Sequence, residues 1–328
     1  MRSAPTRRGV TLTRLGLGVA QFGNLYRETT DEQAAGAMGA AWAGGIRYFD
    51  TAPHYGLGLS ERRLGRLLSD RPRSDYVVST KVGRRLVPSP ATAHLIDDEG
   101  FVVPADQRRV WDFSRDGVLR SLEGSLDRTG LDRIDIVYLH DPEDHLEVAA
   151  TVAVEALIEL RDQGVIGAIG AGSKYSEPLA ELSRRADLDI VMIAGRFTLL
   201  DQSALDDLLP LALERGIAVV AAGVYNSGLL GRANPDPSAR YEYEQVPQDL
   251  LDRAIELAAV CESHGVTLPD AALAFPLRHP AVVSVVVGGR DADQVDGTLE
   301  RFARNIPDDL WVELSERGLL TDVATSGS

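Results

Sequence analysis

Eight times along this chain a short run of β-branched and other apolar residues gives way to a longer amphipathic stretch, and that alternation leaves few folds open. The apolar runs fall at 15–19, 46–50, 76–81, 134–140, 166–171, 190–194, 217–221 and 283–288. The spacing predicts helices over 30–43, 60–69, 114–129, 151–163, 176–186, 203–215, 247–264 and 291–304, with a C-terminal helix over 307–320. Polar caps mark several starts, as at Thr30 and Ser114, and glycines mark several ends, as at Gly44-Gly45, Gly164 and Gly216. Repeated strand–helix units imply parallel strands joined by right-handed crossovers. Eight of them favour an α/β fold of the closed (β/α)8 TIM-barrel type over an open doubly wound sheet. The glycine fingerprint of a dinucleotide-binding open sheet is also missing after the first strand, where Gly16-Leu17-Gly18 runs on without the required spacing.

The chain is expected to be one barrel domain over 1–328, with its core at about 15–304. Two connections are unusually long, 83–113 and 223–246. The first carries His94 and Trp111, and the second carries Tyr241 and Tyr243. Both follow strands, so a barrel places both at the C-terminal face, where active sites are built. The formal net charge of −15 disfavours nucleic acid and anionic membrane surfaces as partners. A single cysteine, Cys261, excludes an intrachain disulfide framework, and no metal site is read from the residues. The first residues are basic, but no apolar signal core follows them, and no apolar run reaches the ~20 residues of a membrane span. A soluble, cytoplasmic protein acting on a small molecule is expected; the oligomeric state is not legible.

Asp50, Lys81 and His140 end the second, third and fourth strands, and Tyr55 follows Asp50 in the next loop. Each alone has a simple structural reading: a turn-forming acid, a solvated lysine, a satisfied histidine, a packed tyrosine. Together they aim titratable groups from three neighbouring strands into one mouth. Carbonyl reduction by hydride needs a proton donor at the oxygen, and the reverse reaction needs a base. A phenol titrates near 10, too high for efficient exchange at neutral pH. An ammonium about 4 Å away, at an effective dielectric near 20, favours the phenolate by roughly 4 kcal/mol. Asp50 would hold that lysine charged, and His140 would orient the substrate oxygen or share the proton.

The segment Tyr48-Phe49-Asp50-Thr51-Ala52-Pro53-His54-Tyr55-Gly56 resembles the signature of the aldo-keto reductase superfamily. Ser60-Glu61-Arg62-Arg63-Leu64-Gly65, Ser79-Thr80-Lys81-Val82-Gly83 and Asp135-Ile136-Val137-Tyr138-Leu139-His140 are similar to its next three motifs, in order. The resemblance implies Tyr55 as acid/base with Asp50, Lys81 and His140. It also implies NAD(P) lying across the mouth without a dinucleotide-binding sheet.

The cofactor segments depart from the usual pattern. Ser173-Lys174 stands where a Ser-Asn pair is common, and Ala194, shortly before Arg196, where a glutamine is common. Gly223 occupies the place of a stacking aromatic, with Tyr225 and Gly228 close by. Gly288-Gly289-Arg290 and Gln294 resemble the segment at the adenosine phosphates. The implied cofactor residues are therefore Ser173, Lys174, Arg196, Tyr225, Gly228, Gly288, Arg290 and Gln294. Asp291 and Asp293 would repel a 2′-phosphate, which leans the reading towards NAD. His54 and Trp111 are candidate substrate contacts. The loops around 194–200 and 225–230 are similar to one branch of the superfamily, the D-threo-aldose (L-fucose) and L-galactose dehydrogenases and pyridoxal 4-dehydrogenase. That branch implies oxidation of a cyclic hemiacetal to a lactone. Pyridoxal oxidation, general aldehyde or ketone reduction, and a non-catalytic cofactor-sensing subunit are the alternatives.

Overall fold

The computed structural model describes residues 3–241 and 244–321; Tyr243 lies outside them. Eight parallel strands close into a barrel in simple sequence order: β1 (Leu15–Gly18), β2 (Tyr48–Asp50), β3 (Val77–Val82), β4 (Ile134–His140), β5 (Ile166–Ser173), β6 (Ile190–Ala194), β7 (Ala218–Ala222) and β8 (Val282–Gly288). β8 pairs with β1 through Val285–Leu15 and Gly288–Gly18, which closes the ring. The predicted (β/α)8 TIM barrel is therefore the observed fold.

The period of two along each strand sorts the side chains. Leu17, Phe49, Val137, Ile169, Val191 and Val285 face outward into the layer shared with the helices. Tyr48, Ile136, Tyr138, Met192, Val220 and Val286 form a separate cluster that fills the barrel. The same alternation carries this inward-facing set from Tyr48 to Asp50, from Tyr138 to His140 and from Val77 through Ser79 to Lys81. Their place at the mouth is thus fixed by the same alternation that builds the core.

The helices differ from expectation in detail. Thr30 caps Asp31–Ala43 with a capping box to Gln33, and Ser114 caps Arg115–Thr129 through the Gly117 N–H. The stretch expected over 151–163 is a longer helix built from Leu146–Val148, a π-helical Ala149–Ala153 and Val154–Asp162. The stretch expected over 203–215 is a 3-10 turn, Ser203–Leu205, followed by Leu208–Arg215. A helix not expected, Leu268–Ala274, lies between Gln248–Ser263 and β8. Helix Leu59–Leu68 packs against Arg115–Thr129 closely enough that a Cβ on Gly65 would stand 1.8 Å from the Thr129 carbonyl oxygen. Beside it Glu61, fully buried, accepts from Arg128 Nε at 2.6 Å and from Thr80 Oγ1 at 2.8 Å.

Among the described residues three antiparallel strand pairs lie outside the barrel, the shortest being Arg240–Tyr241 with Glu244–Gln245. Ser3–Pro5 pairs with Thr11–Thr13 before β1. Here Arg7 and Arg8 meet Asp187 and the buried Asp189, which Arg161 also holds at 2.9 Å. The second, Arg84–Pro88 with Gln107–Trp111, gives structure to the long connection after β3. Among the described residues no helix is long and apolar enough to cross a membrane.

Candidate active site

Register places the three strand-end groups side by side. Asp50 is opposite Ser79, Lys81 opposite Tyr138 and His140 opposite Gly172. Lys81 Nζ donates to Asp50 Oδ2 at 2.6 Å and to the Thr51 carbonyl at 2.9 Å, and both side chains are buried. Asp50 Oδ1 accepts from Ser79 Oγ at 2.7 Å. Beneath them the Tyr48 hydroxyl is 3.1 Å from Ser79 Oγ and 3.1 Å from the Tyr138 hydroxyl. The carboxylate is thus satisfied on both oxygens inside a packed barrel, as a buried charge must be. Burial works against the Lys81 ammonium, but the Asp50 carboxylate and Tyr55 more than offset it, and the net shift is upward.

Tyr55 is carried by the turn after β2, and its position is set by backbone contact. A Cβ on Gly23 would lie 2.6 Å from the Tyr55 carbonyl carbon, and one on Gly56 would lie 2.2 Å from the Gly23 carbonyl oxygen. Only glycine at both places lets the two loops touch. Lys81 Nζ then sits 4.8 Å from the centroid of the Tyr55 ring. The expected electrostatic help is present, but it does not win. Burial raises the Tyr55 phenol above its ordinary value, Lys81 pulls it down, Asp50 raises it again, and the net shift is upward. Desolvation of the phenol outweighs the pull of the ammonium.

His140 stands edge-on to Tyr55, ring centroids 6.0 Å apart. Burial first, then Lys81 and Arg84, hold its imidazole well below the ordinary range, so it is neutral. Its Nδ1 is buried without a hydrogen-bond partner, and its Nε2 lies 3.7 Å from Asp141 Oδ2. The nearby carboxylate favours the tautomer with the proton on Nε2, a neutral donor for an oxygen in the mouth. His54 lies 5.5 Å from His140 and 5.2 Å from Phe101, centroid to centroid. Burial, with Arg109, Arg84 and Lys81, pushes it down to about 2. Arg109 donates to the His54 carbonyl at 3.0 Å and to Asp97 at 2.5 Å, tying the connection after β3 to the Tyr55 turn.

These groups open into a cleft of about 1160 Å³ across the C-terminal face. Its wall includes Tyr55, His54, Arg84, Phe101, Asp141 and Glu143 at one side, and Ser173, Lys174, Arg196, Gly223 and Gly288 at the other. A family model described as the aldo/keto reductase family matches residues 14–317. This chain belongs to the aldo/keto reductase family. It is 49% identical over 315 residues to D-threo-aldose 1-dehydrogenase of a Pseudomonas species, covering 95% of this chain and 96% of that protein. It is 38% identical over 334 residues to pyridoxal 4-dehydrogenase of Microbacterium luteolum, covering 96% of each. A solved aldo-keto reductase of Bacillus halodurans in its holo form superposes with a TM-score of 0.77 at 25% identity, over 100% of this chain and 99% of that one.

Aldo/keto reductases are oxidoreductases that use NAD(P)H, and the cleft suits such a group. It exceeds the ~300–1,000 Å³ usual for small ligands, and small residues at the ends of β6, β7 and β8, namely Ala194, Ala222 and Gly288, leave its floor open. Lys174 and Arg196 supply positive charge along its wall. Arg196 Nη1 lies 3.3 Å from Asp201 Oδ2 and 3.3 Å from the Tyr241 hydroxyl. Ser173 Oγ donates to Glu143 at 2.9 Å, so a carboxylate lies next to the serine that the resemblance places among the cofactor residues.

Four expected cofactor residues lie elsewhere. Tyr225, Gly228, Arg290 and Gln294 are not in the cleft wall. Tyr225 packs against the core outside the barrel. Arg290 is buried, and its guanidinium donates to the Leu25 carbonyl at 2.7 Å, to the Arg27 carbonyl at 2.9 Å and to the Thr29 hydroxyl. Gln294 Oε1 accepts from the Arg290 N–H at 3.1 Å, and Asp291 caps the following helix. Trp111 is exposed beside the mouth, under Arg84 at 4.4 Å. Sequence reasoning missed Arg84, Phe101, Arg109, Asp141 and Glu143. Asp141 and Glu143 carried a usable signal, since they directly follow the His140 strand end.

Proposed function

We propose that this enzyme oxidises the anomeric carbon of an aldose, of the D-threo or L-fucose type, to a lactone, with Tyr55 as the acid/base. The observation that carries the reading is the buried Asp50–Lys81 pair at 2.6 Å beneath Tyr55, in a chain 49% identical to a D-threo-aldose 1-dehydrogenase. When bound, NAD(P) supplies the acceptor for the hydride leaving C1. Tyr55, as phenolate, takes the proton of the anomeric hydroxyl, and the C1–O bond becomes the lactone carbonyl as C1 loses hydrogen with its electron pair. Lys81 holds charge next to that phenolate, Asp50 holds Lys81, and neutral His140 donates from Nε2 to the same oxygen. His54 and Phe101 close the substrate side of the site.

Ser173, Lys174, Arg196 and Gly288 are the cofactor contacts that the cleft supports best. NAD is favoured over NADP. Arg290, which the resemblance places at the adenosine phosphates, within reach of adenine or a 2′-phosphate, spends its guanidinium on the carbonyls of the loop after β1. A second reading, pyridoxal oxidation, draws support from the 38% identity to pyridoxal 4-dehydrogenase over 96% of the chain.

Steady-state assays with L-fucose, D-arabinose, L-galactose and pyridoxal, run separately with NAD and NADP, decide between these. The aldose reading expects NADH formation with at least one sugar and a lower KM for NAD than for NADP. Turnover of pyridoxal alone would replace it with the second reading, and no turnover of any sugar would end it.

A further inference from the structure

Asp141 leaves β4 directly after His140 with a left-handed backbone, φ 44, a conformation that non-glycine residues adopt at a cost and Asp tolerates best. Its N–H still closes on the Gly172 carbonyl at 2.9 Å. The change of direction is therefore made at this one residue, and its carboxylate sits on the cleft wall beside His140. Oδ2 accepts from Arg84 Nη2 and lies 3.7 Å from His140 Nε2. Among the described residues no hydrogen bond reaches Oδ1. Arg84 enters from the base of the Arg84–Pro88 hairpin and also lines the cleft. Its guanidinium is stacked on Trp111, and its other terminal nitrogen is 3.5 Å from Glu99.

A simple brace between hairpin and barrel would be the plainer account. Half-buried ion pairs are poor braces, however, because solvent screening and partial desolvation together cancel most of their attraction. Burial here pushes the Asp141 carboxyl up despite Arg84, so the fold works against the charge it keeps. The pair also faces the cleft instead of being sealed behind it. It presents an acceptor and a donor together, which is what a hydroxyl group needs.

We infer that Arg84 and Asp141 form the subsite for the hydroxyl on the carbon next to the reacting one in a polyhydroxylated carbonyl substrate. That hydroxyl donates to Asp141 Oδ1 and accepts from Arg84, while the reacting oxygen faces His140 and Tyr55. Asp141 and His140 stand close enough, Oδ2 to Nε2 at 3.7 Å, to meet oxygens on adjacent carbons of one substrate. The inference rests on the aldose reading and makes Asp141 and Arg84 specificity residues, not catalytic ones.

The test compares an aldose with its 2-deoxy analogue in the wild type, Asp141→Asn, Asp141→Ala and Arg84→Gln, with thermal melting to verify folding. The wild type should prefer the aldose, by kcat/KM. In the variants that preference should fall on the order of tenfold or more, mostly through KM, over and above any loss the two substrates share through His140. Equal losses on both substrates, or an unchanged preference, would overturn the inference. Failure of the aldose reading shows separately, as a wild type inactive on every sugar. In that case glyceraldehyde against propanal, in the reductive direction, tests the pair. Selective loss on glyceraldehyde upholds it, and parallel behaviour of the two aldehydes removes it.

Discussion

Ser79 donates its hydroxyl to Asp50 at 2.7 Å from the same strand that sends Lys81 to the other carboxylate oxygen at 2.6 Å. Two residues on one face of β3 thus satisfy the buried acid of β2. Ser79→Ala removes one donor from a carboxylate that water does not reach. The expected loss is about 1–3 kcal/mol of stability, read from urea denaturation at neutral pH. A change within experimental error would mean that the Tyr48 hydroxyl takes over the bond.

Tyr55→Phe should lower kcat by about 10²–10⁴-fold, the usual range for a lost general acid or base, while cofactor binding by fluorescence titration stays intact. Lys81→Met should also depress turnover and should move the pH dependence. In the intact site burial raises the phenol and Lys81 lowers it. Oxidation, which needs the phenolate, therefore gains rate as pH rises, and without the ammonium that rise should move to higher pH. A pH–rate profile of Lys81→Met that overlays the wild type would remove the lysine from this role.

Gly23→Ala tests the backbone contact that seats Tyr55. The new methyl would need the space of the Tyr55 carbonyl carbon at 2.6 Å. Overpacking of this kind costs about 1–3 kcal/mol, and a shift of about 1 Å at a reacting group can cost on the order of 10²-fold in rate. Loss of kcat/KM together with Tm is the expected result; full activity would show that the loops slide apart without moving the phenol.

The histidines of the mouth make the protein sensitive to acid. His54 is lowered from 6.5 to about 2, chiefly by burial, and His140 is shifted the same way. The unfolded chain binds these protons first, so the stability present above pH 6.5 is lost progressively as pH falls below it. For one such histidine the loss between pH 7 and pH 5 is about 2 kcal/mol. His54→Phe should remove its share of that slope, measured as the urea midpoint at both pH values. An unchanged slope would mean that His54 is reached by water in the folded state.

The barrel was legible because its strands are buried on both faces and its helices on one, so the periods of β1–β8 and of the surrounding helices stood out. Asp50, Lys81 and His140 were legible because they end apolar runs, and the structure brings them together with Tyr55. The hairpin Arg84–Pro88 with Gln107–Trp111 was not, because its residues alternate without a buried face. Leu268–Ala274 is short and nearly all buried, which leaves no amphipathic pattern to read. Arg84 and Arg109 were missed because their partners, Asp141 and Asp97, are distant in sequence: a salt bridge across a loop has no period. Arg290 shows the reverse case, a motif residue legible in the sequence whose guanidinium contacts, the carbonyls of the loop after β1, were not.

Two arginines near the start of the chain have their own partners. Arg7 and Arg8 seat the first hairpin on Asp187 and Asp189, and Asp189 immediately precedes β6 at the end of the barrel opposite the cleft. A handle fused ahead of Ser3 would therefore emerge on the far side of the molecule from its chemistry. Enzyme tethered to a bead or an electrode by that end would present its open mouth to the solution, whereas shortening the chain past Arg8 to simplify the handle would unpin the floor of the barrel.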